Sequence, residues 1–292
     1  MLVSHSSSVF SILSLSHCLE AEKTHQVIST MVNELHLLTE EPQSPTMDII
    51  AIHGLNGHYL DTFTDKSWYG HATLWLKDML PQKIPGCRVM SFEYDTSINS
   101  LSVANVRDAA RSLLELLRDK REDTIYADVP IVIVAHSLGG IVVKQALVLA
   151  EDDYPNMAKC TKGIVFFGTP HRGADAARWA LMAEKIGHAV LRTNRSAFVK
   201  ILETNSEGLY KISEDFRPMA ADYAIVSFYE EYAYNILGKV IVDKDSAIMG
   251  LPHEQKMMLS GTHTSMVRFS KSDKQFDAVW KRIKRAAAGV PR

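Results

Sequence analysis

Short runs of β-branched and aromatic residues alternate with helical periodicities along the 292-residue chain. The runs read as strands over residues 34–38, 48–53, 88–94, 131–135, 163–168, 223–229 and 256–260. Several are nearly continuous in Val, Ile and Phe, as strands buried on both faces are. Between them, Val106, Ala109, Ala110, Leu113, Leu114 and Leu117 recur at helical spacing and make one apolar stripe. Phe276, Val279, Trp280 and Ile283 repeat the stripe near the carboxyl end. Strands alternating with helices predict an α/β fold, a mostly parallel sheet flanked by helices. No internal repeat and no Pro-, Gly- or Ser-rich linker divides the pattern, so residues 31–292 read as a single domain. Residues 174–218 break the rhythm with helical character and no strand. Lying between two sheet strands, they are expected to form a helical cap over one edge of the sheet.

Composition narrows the class. At 46% hydrophobic and 23% charged, the chain has the make-up of a water-soluble globular protein. Lys+Arg 32 against Asp+Glu 34 leaves a formal charge of -2, which gives no global basic field for nucleic acid. The basic stretch from Lys281 to Arg285 shares a helix with the Phe276 stripe and reads as its solvated face. No apolar run reaches the roughly 18 residues of a membrane span. Three cysteines argue against a disulfide framework and for a reducing, cytoplasmic setting, with association to an organelle or membrane surface left open. Residues 1–30 are serine-rich and carry no Lys or Arg before Lys23, unlike a secretory leader. They are expected to be a flexible arm.

The sharpest local signal is IVIVAHSLGG over residues 131–140, followed by IVVKQALVLA. A buried strand runs into a small-x-Ser-x-Gly turn and then directly into a helix, the context a nucleophile elbow requires. Ser137 must sit on a tight turn that projects its hydroxyl from the sheet, and bulky neighbours two residues away would collide. Ala135 and Gly139 are small enough, although Ala135 stands where Gly is usual. The Leu138 amide falls at the helix start, at the positive end of the dipole, and is a candidate oxyanion donor. A second donor is expected from the early strand-to-turn segment IIAIHGLNGH, where the Leu55 amide follows Gly54, a residue that permits close backbone approach.

A serine needs a base, and the base needs an orienting carboxylate. In this architecture the chain order is Ser, acid, His. His263 follows the last strand and is the expected base; His253 precedes that strand and is second choice. His53, His136 and His171 sit in motifs better suited to shaping the site. For the acid, Glu230 ends a strand and ranks first, Asp243 second and Asp245 third, since sites of open parallel sheets lie at strand carboxyl ends. No His/Cys/Asp cluster has metal-site spacing, so no metal and no organic cofactor are expected.

These segments, with LWLKDMLP, IVFFGTPHRG, IVSFYE, IVDKDSAIMG and THTSM, run in order through residues 47–270. The chain resembles alpha/beta-hydrolase-fold serine hydrolases related to the serine-active-site-containing protein and to the lipase-like module of fungal NACHT/NB-ARC signalling proteins. The resemblance implies an eight-stranded, mostly parallel sheet and a Ser–acid–His triad, with Ser137 and His263 in place and Glu230 favoured by the FYE block. It also implies that Pro170, His171 and Arg172 line a site wall below the cap, with His171 alternatively bracing the loop. Gly54 and His136 complete the expected substrate-binding set. No nucleotide-binding or repeat segment follows, so a stand-alone enzyme is expected, serving lipid turnover or secondary-metabolite tailoring. The expected activity is hydrolysis of a carboxylic ester or thioester of a small-molecule acyl substrate. Acyl transfer or cyclisation in a water-excluding pocket and a non-catalytic interaction module are the alternatives. Acyl group, leaving group and oligomeric state are left open.

Overall fold

The computed structural model describes residues 33–66, 72–96, 102–171, 195–232 and 240–290, with 195–204 described as backbone alone. The expected arm at 1–30 and residues 174–194 of the expected cap lie outside the described residues. In chain order the strands are β1 (Glu34–Leu37), β2 (Met47–Ile52), the two-residue β3 (Thr64–Asp65) and β4 (Thr73–Leu74), β5 (Cys87–Glu93), β6 (Ile131–His136), β7 (Thr161–Phe167), β8 (Ala224–Glu230) and β9 (Gln255–Leu259). The helices are α1 (Trp75–Asp78), α2 (Leu80–Lys83), α3 (Val103–Lys120), α4 (Gly139–Asp153), α5 (Pro155–Cys160), α6 (Arg195–Phe216) and α7 (Gln275–Ala286).

Seven strands form one sheet in the order β1-β5-β2-β6-β7-β8-β9, while β3 and β4 pair separately. Each of the seven lies on a run expected from the sequence, with ends shifted by a residue or two. Only the edge strand β1 is antiparallel to its neighbour. The resemblance implies eight strands; among the described residues the main sheet holds seven, and β3 and β4 pair apart from it.

Successive strand side chains point to opposite faces, and this divides the core in two. Ile50, Ile52, Ile131, Ile133, Ile164 and Phe166 pack with the stripes of α3, α4 and α6. Ile49, Ala51, Val132, Val134, Val165 and Phe228 pack on the other side with Trp75, Leu80 and the α7 residues Phe276, Val279 and Ile283. Burying each such side chain contributes roughly 1.5–3 kcal/mol. The α3 stripe predicted from Val106 to Leu117 is buried throughout, and Ser102 caps this helix by accepting from the Asn105 amide at 3.1 Å. At the amino end of β2, fully buried Asp48 accepts from Arg88 at 2.8 and 3.0 Å and from Arg121.

The connection leaving β2 leads to β5 on one side, and the chain then crosses back to β6 on the other. The strand order therefore reverses between β2 and β6, and a crevice opens at their carboxyl ends, where open α/β sheets bind ligands. The segments at that crevice are residues 53–58 and the turn at Ser137. The parallel sheet with one antiparallel edge strand, flanked by helices, is an alpha/beta-hydrolase fold. Among the described residues no helix is long and apolar enough to cross a membrane.

Candidate active site

Ser137 has φ +54°, the left-handed region that non-glycine residues rarely occupy. The turn is held by bonds from the end of β7 and from its own helix. Its amide donates to the Phe167 carbonyl at 2.9 Å, and its carbonyl accepts from Thr169 Oγ1 at 2.9 Å and from the Gly140 amide at 3.1 Å. Two glycines make room. A side chain at Gly139 would run into the His53 carbonyl, and a Cβ on Gly54 would lie 2.8 Å from the Ser137 Cβ and 3.4 Å from the Leu138 nitrogen. The 53–58 segment thus lies directly against the elbow. Neither the Leu55 nor the Leu138 amide has an acceptor among the described residues.

His263, on the loop after β9, lies with Nε2 2.8 Å from Ser137 Oγ and Nδ1 3.2 Å from Glu230 Oε1. Because the carboxylate only accepts, Nδ1 carries the proton and Nε2 is free to accept from the serine hydroxyl. Glu230 ends β8 and also accepts from the amides of Ile241 at 3.1 Å and Val242 at 2.8 Å. Ser137, Glu230 and His263 are all buried. Asp243 instead closes its own turn, accepting from the Ser246 amide at 2.9 Å and bonding its hydroxyl at 3.1 Å. His253 reaches the Tyr223 carbonyl, at the amino end of β8, so the length of that strand separates it from Glu230.

The other expected site residues take distinct places. His136 Nε2 donates to the His263 carbonyl at 2.8 Å and so bears the ring proton. Burial, then the neighbouring His263, pushes its pKa down to about 3, which keeps the ring neutral at physiological pH. His53 is also pushed down, to about 4, chiefly by burial; its ring stacks on Tyr94, whose hydroxyl donates to the His53 carbonyl at 2.6 Å. His171 is buried with its ring edge-on to Phe166, and its amide donates to the Ser246 carbonyl at 2.8 Å, a bracing position between two loops. Arg172 lies outside the described residues.

Several supports give little signal in sequence. Lys144, in the second turn of α4, is fully buried and donates to the Pro170 carbonyl at 3.2 Å and to Ser213 Oγ of α6 at 3.0 Å. Burial, opposed by the charge of Glu214, lowers its pKa to about 7. Glu254 is a second buried carboxylate, accepting from Ser227 Oγ and from the Met249 and Gly250 amides at 2.6, 2.9 and 2.7 Å. It braces the 240–250 segment whose amides hold Glu230.

Two openings meet at Leu55. One is a small, partly open cavity walled mainly by apolar side chains, among them Val106 and Ala109 of α3, Ile141 and Val142 of α4, and Leu209 of α6. The other is a larger, open polar cleft lined by His58, Asp61, Lys66, His136, Thr264 and Arg268 with neighbouring backbone. Leu138 lines the first and Leu55 both. Among the described residues no group of three or more His, Cys, Asp or Glu is placed to hold a metal ion.

No protein-family model matches the chain. It is similar to Protein SERAC1 of Danio rerio, 28% identical over 257 residues covering 80% of this chain and 38% of the relative. It is also similar to Protein SERAC1 of Bos taurus, 29% identical over 241 residues covering 74% and 36%. The chain thus spans little more than a third of the length of these curated relatives. Among solved structures, it resembles one from a study of Nitrososphaera gargenis carboxylesterases, with a TM-score of 0.48, 13% identity and coverage of 88% of this chain and 94% of that one. An alpha/beta hydrolase enzyme from a Mar Chica lagoon metagenome gives a TM-score of 0.49 and 16% identity, covering 87% and 94%.

Proposed function

We propose that the protein is a serine hydrolase cleaving a carboxylic ester or thioester through an acyl-serine intermediate. The observation that carries this reading is the continuous path from Glu230 through His263 to Ser137, at 3.2 and 2.8 Å, ending beside two amides without acceptors among the described residues. Ser137 Oγ attacks the acyl carbonyl as His263 Nε2 takes its proton, and Glu230 stabilises the imidazolium and fixes its tautomer. The oxyanion forms between the Leu55 and Leu138 amides, donors already oriented before the reaction. His263 then returns the proton to the leaving oxygen or sulfur. Water repeats the sequence from the other side and frees the acid. The chemistry requires neither metal nor organic cofactor.

The apolar cavity walled by α3, α4 and α6 suits the acyl chain. Free thiols at buried Cys87 and Cys160 agree with a reducing, cytoplasmic setting. Kinship with the lipase-like modules of fungal signalling proteins rests on the sequence blocks alone, as does a role in lipid turnover or secondary metabolism.

The test is turnover of short p-nitrophenyl esters by wild type and Ser137→Ala, with fluorophosphonate labelling in parallel. A loss of roughly a thousandfold or more in kcat is expected, since the nucleophile acts in every cycle, along with loss of the label. Undiminished turnover by a clean Ser137→Ala preparation overturns the reading.

A further inference from the structure

The cleft and the cavity that meet at Leu55 differ in polarity, and the position of His263 decides which half of a substrate enters each. The histidine must hand its Nε2 proton to the departing atom, so the leaving group lies on the His263 side of the reacting carbonyl. That side is the polar cleft, because Thr264, the next residue in the chain, lines it, as does His136, which is bonded to the His263 carbonyl. The acyl half is then directed into the apolar cavity beside Leu138, Ile141 and Val142.

Charge within the cleft is unequal. Lys66 and Asp61 pair at 3.2 Å and offset one another. Arg268 has no acidic partner among the described residues; its Nε donates to the Thr62 carbonyl at 3.3 Å, and its charge is felt by the His136 ring. His58 adds a donor. Its Nδ1 accepts from the Leu60 and Asp61 amides at 3.2 and 3.4 Å, which leaves Nε2 as the proton-bearing nitrogen of the neutral ring. An uncompensated guanidinium and an imidazole N–H beside the leaving-group position fit a carboxylate or phosphate.

We infer that the leaving group is an alcohol or thiol bearing an anionic substituent, held in this cleft chiefly by Arg268. The inference rests on the serine-hydrolase reading and adds the chemical class of the departing half. The bond broken is the acyl C–O or C–S bond. The departing atom takes the proton from His263, and the anionic substituent keeps its charge throughout.

The experiment compares two esters of the same short acyl chain, one of meta-hydroxybenzoate and one of its methyl ester. Each kcat/KM is divided by the rate of hydroxide hydrolysis to remove intrinsic reactivity. Wild type is expected to favour the anionic ester by roughly tenfold at low ionic strength, the scale of one charge-assisted bond at a part-exposed site. Arg268→Gln should bring that ratio close to one, and Arg268→Lys should restore part of it. Both esters are measured on one preparation, so a partly folded variant cannot mimic the loss. A wild-type ratio at or below one, or a ratio that Arg268→Gln leaves unchanged, overturns the inference while Ser137-dependent turnover stands. Turnover of both esters by Ser137→Ala at the wild-type rate would remove the serine-hydrolase reading, and this inference with it.

Discussion

His263 Nδ1 lies 3.2 Å from Oε1 of Glu230, and the same oxygen accepts the Val242 amide at 2.8 Å. Glu230 Oε2 takes the Ile241 amide at 3.1 Å, so the carboxylate is fixed by the backbone before it meets the imidazole. The segment that supplies those amides is itself anchored through Met249 and Gly250 to Glu254. One buried carboxylate thus positions the loop that orients the other.

That geometry separates Glu230 from its rival. Glu230→Gln keeps the shape but offers an amide that cannot stabilise the imidazolium and that favours the wrong tautomer. A fall in kcat of roughly 10³–10⁴ is expected, the scale seen when a triad carboxylate becomes an amide. Asp243→Asn alters a side chain that bonds only within its own turn, and a change of no more than about threefold is expected, below the roughly 10²-fold that misplacing a catalytic group costs. Steady-state kinetics on one ester decides between them. Comparable losses in the two variants would contradict the assignment of Glu230.

What the sequence makes legible follows the range of the interactions. The elbow is local: strand, small residue, serine, glycine and helix lie within a dozen positions, so Ser137 and the direction of its turn can be read directly. The five inner strands are legible because each is a mostly apolar run with clear ends, whereas the edge strands β1 and β9 are mixed and only partly buried. Choosing Glu230 over Asp243 requires knowing which carboxylate the loop after β8 folds back upon, a relation the chain order does not express. Lys144 is harder still, since a lysine in an apolar helix ordinarily reads as its solvated side. Its burial depends on Pro170 and on Ser213, 26 and 69 residues away. His136 is recognisable as part of the site from its motif, but its bond to the His263 carbonyl spans 127 residues. Arg268 belongs to no motif, and only the closing of the 53–66 segment over the 263–268 loop puts it beside His136.

Asp48 shows the same dependence at the opposite end of β2. It carries one negative charge between two buried guanidinium groups, with Arg88 also lying 3.5 Å from the centre of the Tyr126 ring and Arg121 bonded to the Val129 carbonyl at 2.8 Å. Removing the carboxylate leaves buried Arg121 with only carbonyl partners among the described residues and buried Arg88 with the exposed Glu41 at 3.4 Å as its acidic partner. Asp48→Ala is expected to cost roughly 3–5 kcal/mol, the range for breaking a buried ion pair from one side. Because the cluster lies at the amino end of the strand, kcat per folded molecule should stay near wild type. Urea unfolding and active-site titration together test this. A loss below about 1 kcal/mol would mean that water reaches the cluster and solvates the arginines.

Lys144 gives stability a pH dependence whose sign can be worked out. Burial lowers its pKa from 10.5 to about 7, so the folded protein holds that proton only below about pH 7, whereas the unfolded chain holds it up to about 10.5. Between those values the unfolded state binds more protons, and stability must rise with pH. Above the window both states are neutral; below it both are charged, and the penalty stays constant. From pH 7 to about 9.5 the lysine should add up to roughly 3 kcal/mol to the unfolding free energy, the limit set by 1.36 kcal/mol per unit of pKa difference. Lys144→Met removes the titrating group at similar volume, so its unfolding free energy should climb less steeply over the same window. Urea melts of both proteins at the two pH values measure the difference in slope. Equal slopes would show that the ammonium keeps its ordinary pKa when folded, which would require solvent or a counter-charge at the junction of α4, Pro170 and α6.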